Sequence, residues 1–216
     1  VGPTGNISIS GGTWTSGLLI ARPTVTGKTF SATINLTVVV ISTNTGGDAT
    51  IILTSNLTTT SVLTIGAFAI PFAAITTLDA NTRTITCSGT GGVGSNALGV
   101  GDRTQGLVGG RLLLSTGIVS VTGTMRVSNT INNPAANIEC TGAASFTCSG
   151  LAEWIGTACF HVLGNASFSY GGNYDNRSTS VSNNAGTATV TLTGASPTWR
   201  QDSANADLYN LRINLS

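Results

Sequence analysis

Two acidic residues have the spacing that chemistry would need. Glu153 and Asp175 are related as i and i+22, and Arg177 follows Asp175 by two. Glycoside cleavage uses two carboxyl groups about 5–9.5 Å apart, one as acid and one as base or nucleophile. If the chain winds with a matching period, these two side chains fall in register on successive turns. The simpler reading of the same trio is a salt bridge on a solvated corner. A second constellation is Cys159 with His161, which share one face of a strand because side chains two apart project to the same side. Glu153 lies close by in sequence. No Gly-x-Ser-x-Gly elbow is present, and the single histidine reads more simply as a structural residue. No catalytic residue is therefore assigned, and the chain is read as not an enzyme.

Metal and cofactor sites are not indicated either. The four cysteines, Cys87, Cys140, Cys148 and Cys159, form no Cys-x-x-Cys, and one histidine cannot complete a zinc pair. They are read as small core residues or as disulfides between neighbouring turns, with three pairings open. The glycine run from Gly89 to Gly101 contains no Gly-x-x-x-x-Gly-Lys-Ser/Thr, so it is not a phosphate loop. Gly99-Val100-Gly101-Asp102 matches part of a calcium-binding nonapeptide, but that chemistry requires tandem copies. No cofactor and no metal are expected.

Binding residues are easier to nominate. Trp14, Trp154, Tyr170, Tyr174 and Trp199 are candidate stacking platforms for carbohydrate, and Trp154 and Tyr174 lie 20 apart, near one turn. Six Asn-x-Ser/Thr sequons, at Asn6, Asn35, Asn56, Asn165, Asn176 and Asn214, are candidate glycosylation sites in an exported protein. Threonine pairs such as Thr84-Ile85-Thr86 and Thr189-Val190-Thr191 have the form that orders water and binds ice on a flat face. They do not recur on consecutive turns, so a broken array is expected.

These residues sit in an unusual chain. Of 216 residues only 17 are charged, or 8%, against roughly 25% in ordinary domains. Nine dispersed cations against eight anions cannot form the basic stripe that nucleic acid requires. Apolar content of 40% with a net charge of +1 excludes disorder. The apolar runs are too short or broken for the ~20 residues of a membrane helix. No membrane insertion and no nucleic-acid partner are expected. The chain begins at Val1 without a leader, read as a processed or excised product.

One motif recurs: apolar, polar, apolar, Ser/Thr, Gly. Its clear copies start at Ile7, Ile85, Val119, Ile138, Phe146 and Val190, with degraded copies at Ile34, Ile51, Leu63, Phe168 and Leu211. Period-2 alternation with β-branched residues and a glycine stop predicts a short strand at each. The intervals Leu63 to Ile85, Phe146 to Phe168 and Phe168 to Val190 all equal 22; others fall near 17, 27 and 34. Stacking such turns buries a continuous narrow core, with glycine at the corner supplying positive φ. The motif copies, with Gly186–Gly194 and Leu208–Ile213, resemble the repeats of right-handed parallel β-helix (β-solenoid) proteins of bacterial surfaces, adhesins and fibres. That resemblance implies an all-β solenoid of about 22-residue turns at the cell surface or on a virion fibre, and no activity. It is expected as one domain over 1–216, with an irregular Gly-rich insertion at about 89–110 as a contact surface. The alternative is a jelly-roll β-sandwich with an N-terminal donor strand, which the irregular stretch 1–60 favours.

The functional expectation follows from the terminal strands. Ile7 and Ile9 at one end, and Leu211, Ile213 and Leu215 at the other, belong to strands without a polar cap. Exposed strand edges recruit other chains. The chain is therefore read as a structural subunit of an extracellular filament, a homopolymer whose copies stack head to tail. A carbohydrate-binding adhesin or tail-fibre segment is the second reading, and a β-helix polysaccharide-degrading enzyme the third.

Overall fold

A computed structural model describes residues 5–14, 17–43, 47–66, 74–90, 96–101, 108–128, 136–156, 159–162, 164–178, 187–202 and 210–214. Within strands, the side chains at 108 and 160–162 are outside that description. Every element among the described residues is a strand, and every strand pair is parallel. No described helix is long and apolar enough to cross a membrane.

The chain lays down its strands in repeating sets. The first sets hold two strands each: β1 (Ile7–Ile9) and β2 (Leu18–Ala21), β3 (Lys28–Ala32) and β4 (Leu36–Ile41), then β5 (Ala49–Leu53) and β6 (Leu57–Ile65). Sets of three follow: β7 (Ala74–Asn81), β8 (Thr84–Cys87) and β9 (Leu98–Val100), then β10 (Val108–Leu114), β11 (Ile118–Val121) and β12 (Met125–Ser128). Next come β13 (Ala136–Cys140), β14 (Ser145–Cys148) and β15 (Ala152–Ile155), then β16 (Cys159–Val162), β17 (Ser167–Tyr170) and β18 (Tyr174–Asn176). The described chain finishes with β19 (Thr189–Leu192), β20 (Trp199–Gln201) and β21 (Asn210–Ile213).

Like strands pair across successive sets, producing three stacks. The first runs β1-β3-β5-β7-β10-β13-β16. The second runs from the start of β6 through β8, β11, β14, β17, β19 and β21. The third runs β2-β4-β6-β9-β12-β15-β18-β20. The long strand β6 belongs to two stacks, its Leu57–Thr59 facing Ile85–Cys87 and its Leu63–Ile65 facing Leu98–Val100. All-parallel pairing rules out the jelly roll, whose strands are antiparallel. The expected donor strand is β1, which pairs within its own chain, Ile7 beside Phe30.

Alternation decides what is buried. Ile85 and Cys87, Val119 and Val121, Phe146 and Cys148, Phe168 and Tyr170, and Val190 and Leu192 all point inward and are buried. Burial of a large apolar side chain contributes about 1.5–3 kcal/mol, and stacked parallel strands repeat that gain at each level. The register offsets are uneven. Ile85 faces Val119, Val119 faces Phe146 and Phe146 faces Phe168, offsets of 34, 27 and 22. The interval from Leu63 to Ile85 does not correspond to a pair, because Ile85 sits beside Leu57. Ile138 and Cys140 lie in the first stack beside Leu112 and Leu114. One sequence motif thus serves two faces.

The described residues of the segment expected as an insertion include strands of the stacks. Residues 98–100 form β9, between β6 and β12, and Val108 opens β10; 91–95 and 102–107 lie outside the described residues. Glycine also acts differently from expectation at several corners. Gly11 has φ +75 with open space around it, as predicted. Gly123, Gly150 and Gly172, by contrast, lack a positive φ and stand one above another. A Cβ on Gly150 would lie 2.5 Å from the Gly123 oxygen, and one on Gly172 would strike the Gly150 oxygen. These corners need glycine because strands stacked ~4.8 Å apart leave no room for a side chain between backbones.

Candidate functional site

The third stack gathers a cluster of six charged side chains. Pairing places Arg126, Glu153, Asp175 and Arg200 in one outward row on β12, β15, β18 and β20. Cross-strand neighbours in register are within reach of one another, so opposite charges attract directly. Arg126 donates from Nε (2.8 Å) and Nη2 (2.6 Å) to Glu153 Oε2. Arg177 donates from Nη2 to Glu153 Oε1 at 3.0 Å, and its Nε lies 3.1 Å from Asp175 Oδ2. Arg200 pairs in bidentate fashion with Asp202, at 2.9 and 2.6 Å, and stands 3.9 Å from Asp175. Three cations meet three anions. The Glu153 side chain is only 6% exposed, whereas Arg126 and Arg177 are each about a third exposed.

The carboxylates that sequence spacing brings together are therefore adjacent, and both oxygens of Glu153 already accept guanidinium hydrogen bonds. This arrangement ties levels of the stack together with charge-assisted bonds. Spacing on a constant period does not nominate Arg126 or Arg200. A signal for Arg126 was nonetheless present: it precedes Glu153 by the same interval that separates Val119 from Phe146. A second ion pair, Arg111 with Glu139 at 2.5 Å, joins β10 to β13 in the first stack.

The aromatic candidates are mostly core. Trp154, Tyr170 and Tyr174 are essentially fully buried, so they offer no face to carbohydrate. Trp154 packs on Tyr174 at 4.8 Å and edge-on to Tyr170 at 6.0 Å. Trp199 is half-buried and lies flat on Tyr174 at 3.9 Å and 5°. Trp14 is also half-buried, near the other end of the stacks. The reason is register: Trp154, Tyr174 and Trp199 occupy inward positions of β15, β18 and β20.

The cysteines form no disulfide; all four are free and buried. Cys87 and Cys148 occupy equivalent inward positions, but Val121 intervenes between them. Cys140 belongs to the first stack. Burial pushes the thiols of Cys87 and Cys140 up to about 12, and that of Cys148 to about 11, where two backbone hydrogen bonds partly offset desolvation. Cys159 donates to the Ile155 carbonyl at 3.3 Å; the side chain of His161 lies outside the described residues.

Among the sequons, Asn176 is corrected. It is fully buried, its Nδ2 donating to the Tyr174 hydroxyl and its Oδ1 accepting the Ser178 N–H, so it cannot carry a glycan. Asn6, Asn35, Asn56, Asn165 and Asn214 are exposed. Asn6 and Asn56 use Oδ1 to accept the backbone N–H of Thr29 and Thr84 on the next level.

At the outermost strands, Ile7 and Ile9 are half-buried, while Leu211 and Ile213 are 47% and 61% exposed. Leu18 of β2 is 55% exposed. Leu215 lies outside the described residues. No family model, curated protein or solved structure matches the chain.

Proposed function

We propose that the chain is a right-handed parallel β-helix serving as a structural subunit of an extracellular fibre, with copies stacking end to end. Right-handed winding is the default for parallel strands joined by crossovers. A 22-residue turn describes the levels from β14 to β19, and the two pairings before them in the second stack are offset by 27 and 34. The observation carrying the reading is the contrast between β21 and β19. Val190 and Leu192 are covered by the next level and are 1% and 3% exposed; Leu211 and Ile213, their partners in register, stand open.

Among the described residues no strand pairs with the outer edge of β21. An apolar ladder with such an edge is a template for another parallel strand. The fitting occupant is a second copy, whose β1 and β2 present Ile7, Ile9 and Leu18 at the opposite extreme. Electron microscopy and sedimentation of the 216-residue chain at micromolar concentration test this. Fibres or a ladder of oligomers, lost in a Leu211→Lys/Ile213→Lys double variant, support it. Compact monomers throughout the concentration range refute it.

A further inference from the structure

The second stack presents an outer surface unlike the others. Its central outward row reads Thr86, Ser120, Thr147, Ser169 and Thr191 on consecutive levels, held in register by continuous parallel pairing. The row to one side reads Thr84, Ile118, Ser145, Ser167 and Thr189. The row to the other side reads Ser88, Thr122, Ser149, Gly171 and Thr193, whose amides bond to carbonyls of the preceding level. Every one of these positions is half-buried or exposed, and none carries a charge; on the last level, β21, the central row ends in the exposed Arg212, so the uncharged lattice spans β8 to β19. Only Ile118 and Gly171 lack a hydroxyl. The central row, broken when threonines alone are followed, is continuous from Thr86 to Thr191 once serine is included and the uneven offsets of 34, 27 and 22 are respected.

We infer that this face binds ice. Parallel strands repeat every ~4.8 Å across the stack, and alternate residues repeat every ~6.7 Å along each strand. The two spacings define a nearly rectangular lattice of hydroxyls close to the repeats of oxygen atoms on a prism face of ice. A matching lattice lets surface waters occupy ice-like positions simultaneously. Charges would instead hold their own hydration shells, and the ion pairs among the described residues lie on the first and third stacks.

Rigidity completes the argument. Ser88 Oγ donates to the Thr59 carbonyl at 3.1 Å and Ser149 Oγ to the Thr122 carbonyl at 2.8 Å. Thr147 and Thr193 point their hydroxyls at the carbonyls of Val119 and Tyr170 at 3.4 and 3.5 Å. Hydroxyls whose protons are used inward offer lone pairs outward, a fixed row of acceptors for water. Threonine adds a χ1 stiffened by β-branching and a methyl group beside each hydroxyl. Phe146 and Phe168, stacked at 5.6 Å behind the face, back it with a packed core.

The test uses the whole chain, frozen slowly around a cold probe, with thermal hysteresis measured on single ice crystals. The wild type is expected to enter the ice and to open a gap between melting and freezing. Thr147→Tyr, at an exposed site, is expected to abolish both, with its circular dichroism and melting midpoint showing that the fold persists. Ser31→Lys, on β3 of the first stack, is expected to change neither. Ser120→Thr/Ser169→Thr, which completes the central threonine row, is expected to widen the gap. Exclusion of the wild type from ice, an unchanged gap in Thr147→Tyr, or equal loss in Ser31→Lys would each overturn the inference. Retention on crystalline cellulose or chitin without entry into ice would overturn it too, assigning the face to polysaccharide.

Discussion

Replacing Gly150 by alanine separates two roles of glycine in this chain. A methyl at Gly150 would sit 2.5 Å from the Gly123 oxygen, 2.6 Å from its carbonyl carbon and 3.2 Å from the Thr124 nitrogen. All three are backbone atoms, held between paired strands above and below, so no side chain can swing away. Forcing a methylene-sized group into such a site costs about 1–3 kcal/mol, offset by about 0.4–1 kcal/mol because alanine restricts the unfolded chain. With both terms at the middle of their ranges, the net expectation is a loss of about 1.3 kcal/mol, or roughly 3–5 °C in midpoint for a chain of this size. Gly47 supplies the matched control. It has no positive φ, and a methyl placed there would meet nothing within 4 Å, so Gly47→Ala is expected to stabilise by about 0.4–1 kcal/mol. Urea unfolding followed by circular dichroism measures both. Equal effects of the two substitutions, or a neutral Gly150→Ala, would refute the close-approach account of the corners.

Four further outcomes follow from the thiols and the charged groups. Cys87, Cys140 and Cys148 titrate higher folded than unfolded, so above about pH 8.5 the unfolded chain loses protons that the folded chain keeps. Stability is then full below that pH and falls as pH rises toward 11–12, by up to about 4 kcal/mol per pH unit for three thiols; pH-dependent urea midpoints measure it. The buried thiols are expected to resist a thiol-specific reagent at pH 8 in the native protein and to react fully in denaturant, as absorbance of the released chromophore reports. Glu153→Gln is expected to destabilise by about 1.5–3 kcal/mol, less than a fully buried pair because Arg126 and Arg177 are partly solvated. Asp202→Asn, in open solvent, leaves the thermal midpoint unmoved.

Much of this architecture is written in local sequence. Alternation alone placed Ile85, Val119, Phe146 and Val190 inward and Thr86, Ser120, Thr147 and Thr191 outward, because a strand's two faces are fixed by its period of two. The intervals of 34, 27 and 22 between those motif copies are the observed pairings of the second stack. The interval of 22 also brought Glu153 beside Asp175.

What required the tertiary structure is the assignment of each strand to a face. Ile138-Glu139-Cys140 and Phe146-Thr147-Cys148 share one pattern yet belong to different stacks. The pattern reports only that one side is apolar, not toward which neighbour it turns. That choice decided that Cys87 and Cys148 are kept apart by Val121, that Trp154 and Tyr174 fill the core, and that the corner glycines answer to the carbonyl of the level beneath. Each of these depends on atoms far apart along the chain, brought close only when one level closes over the next.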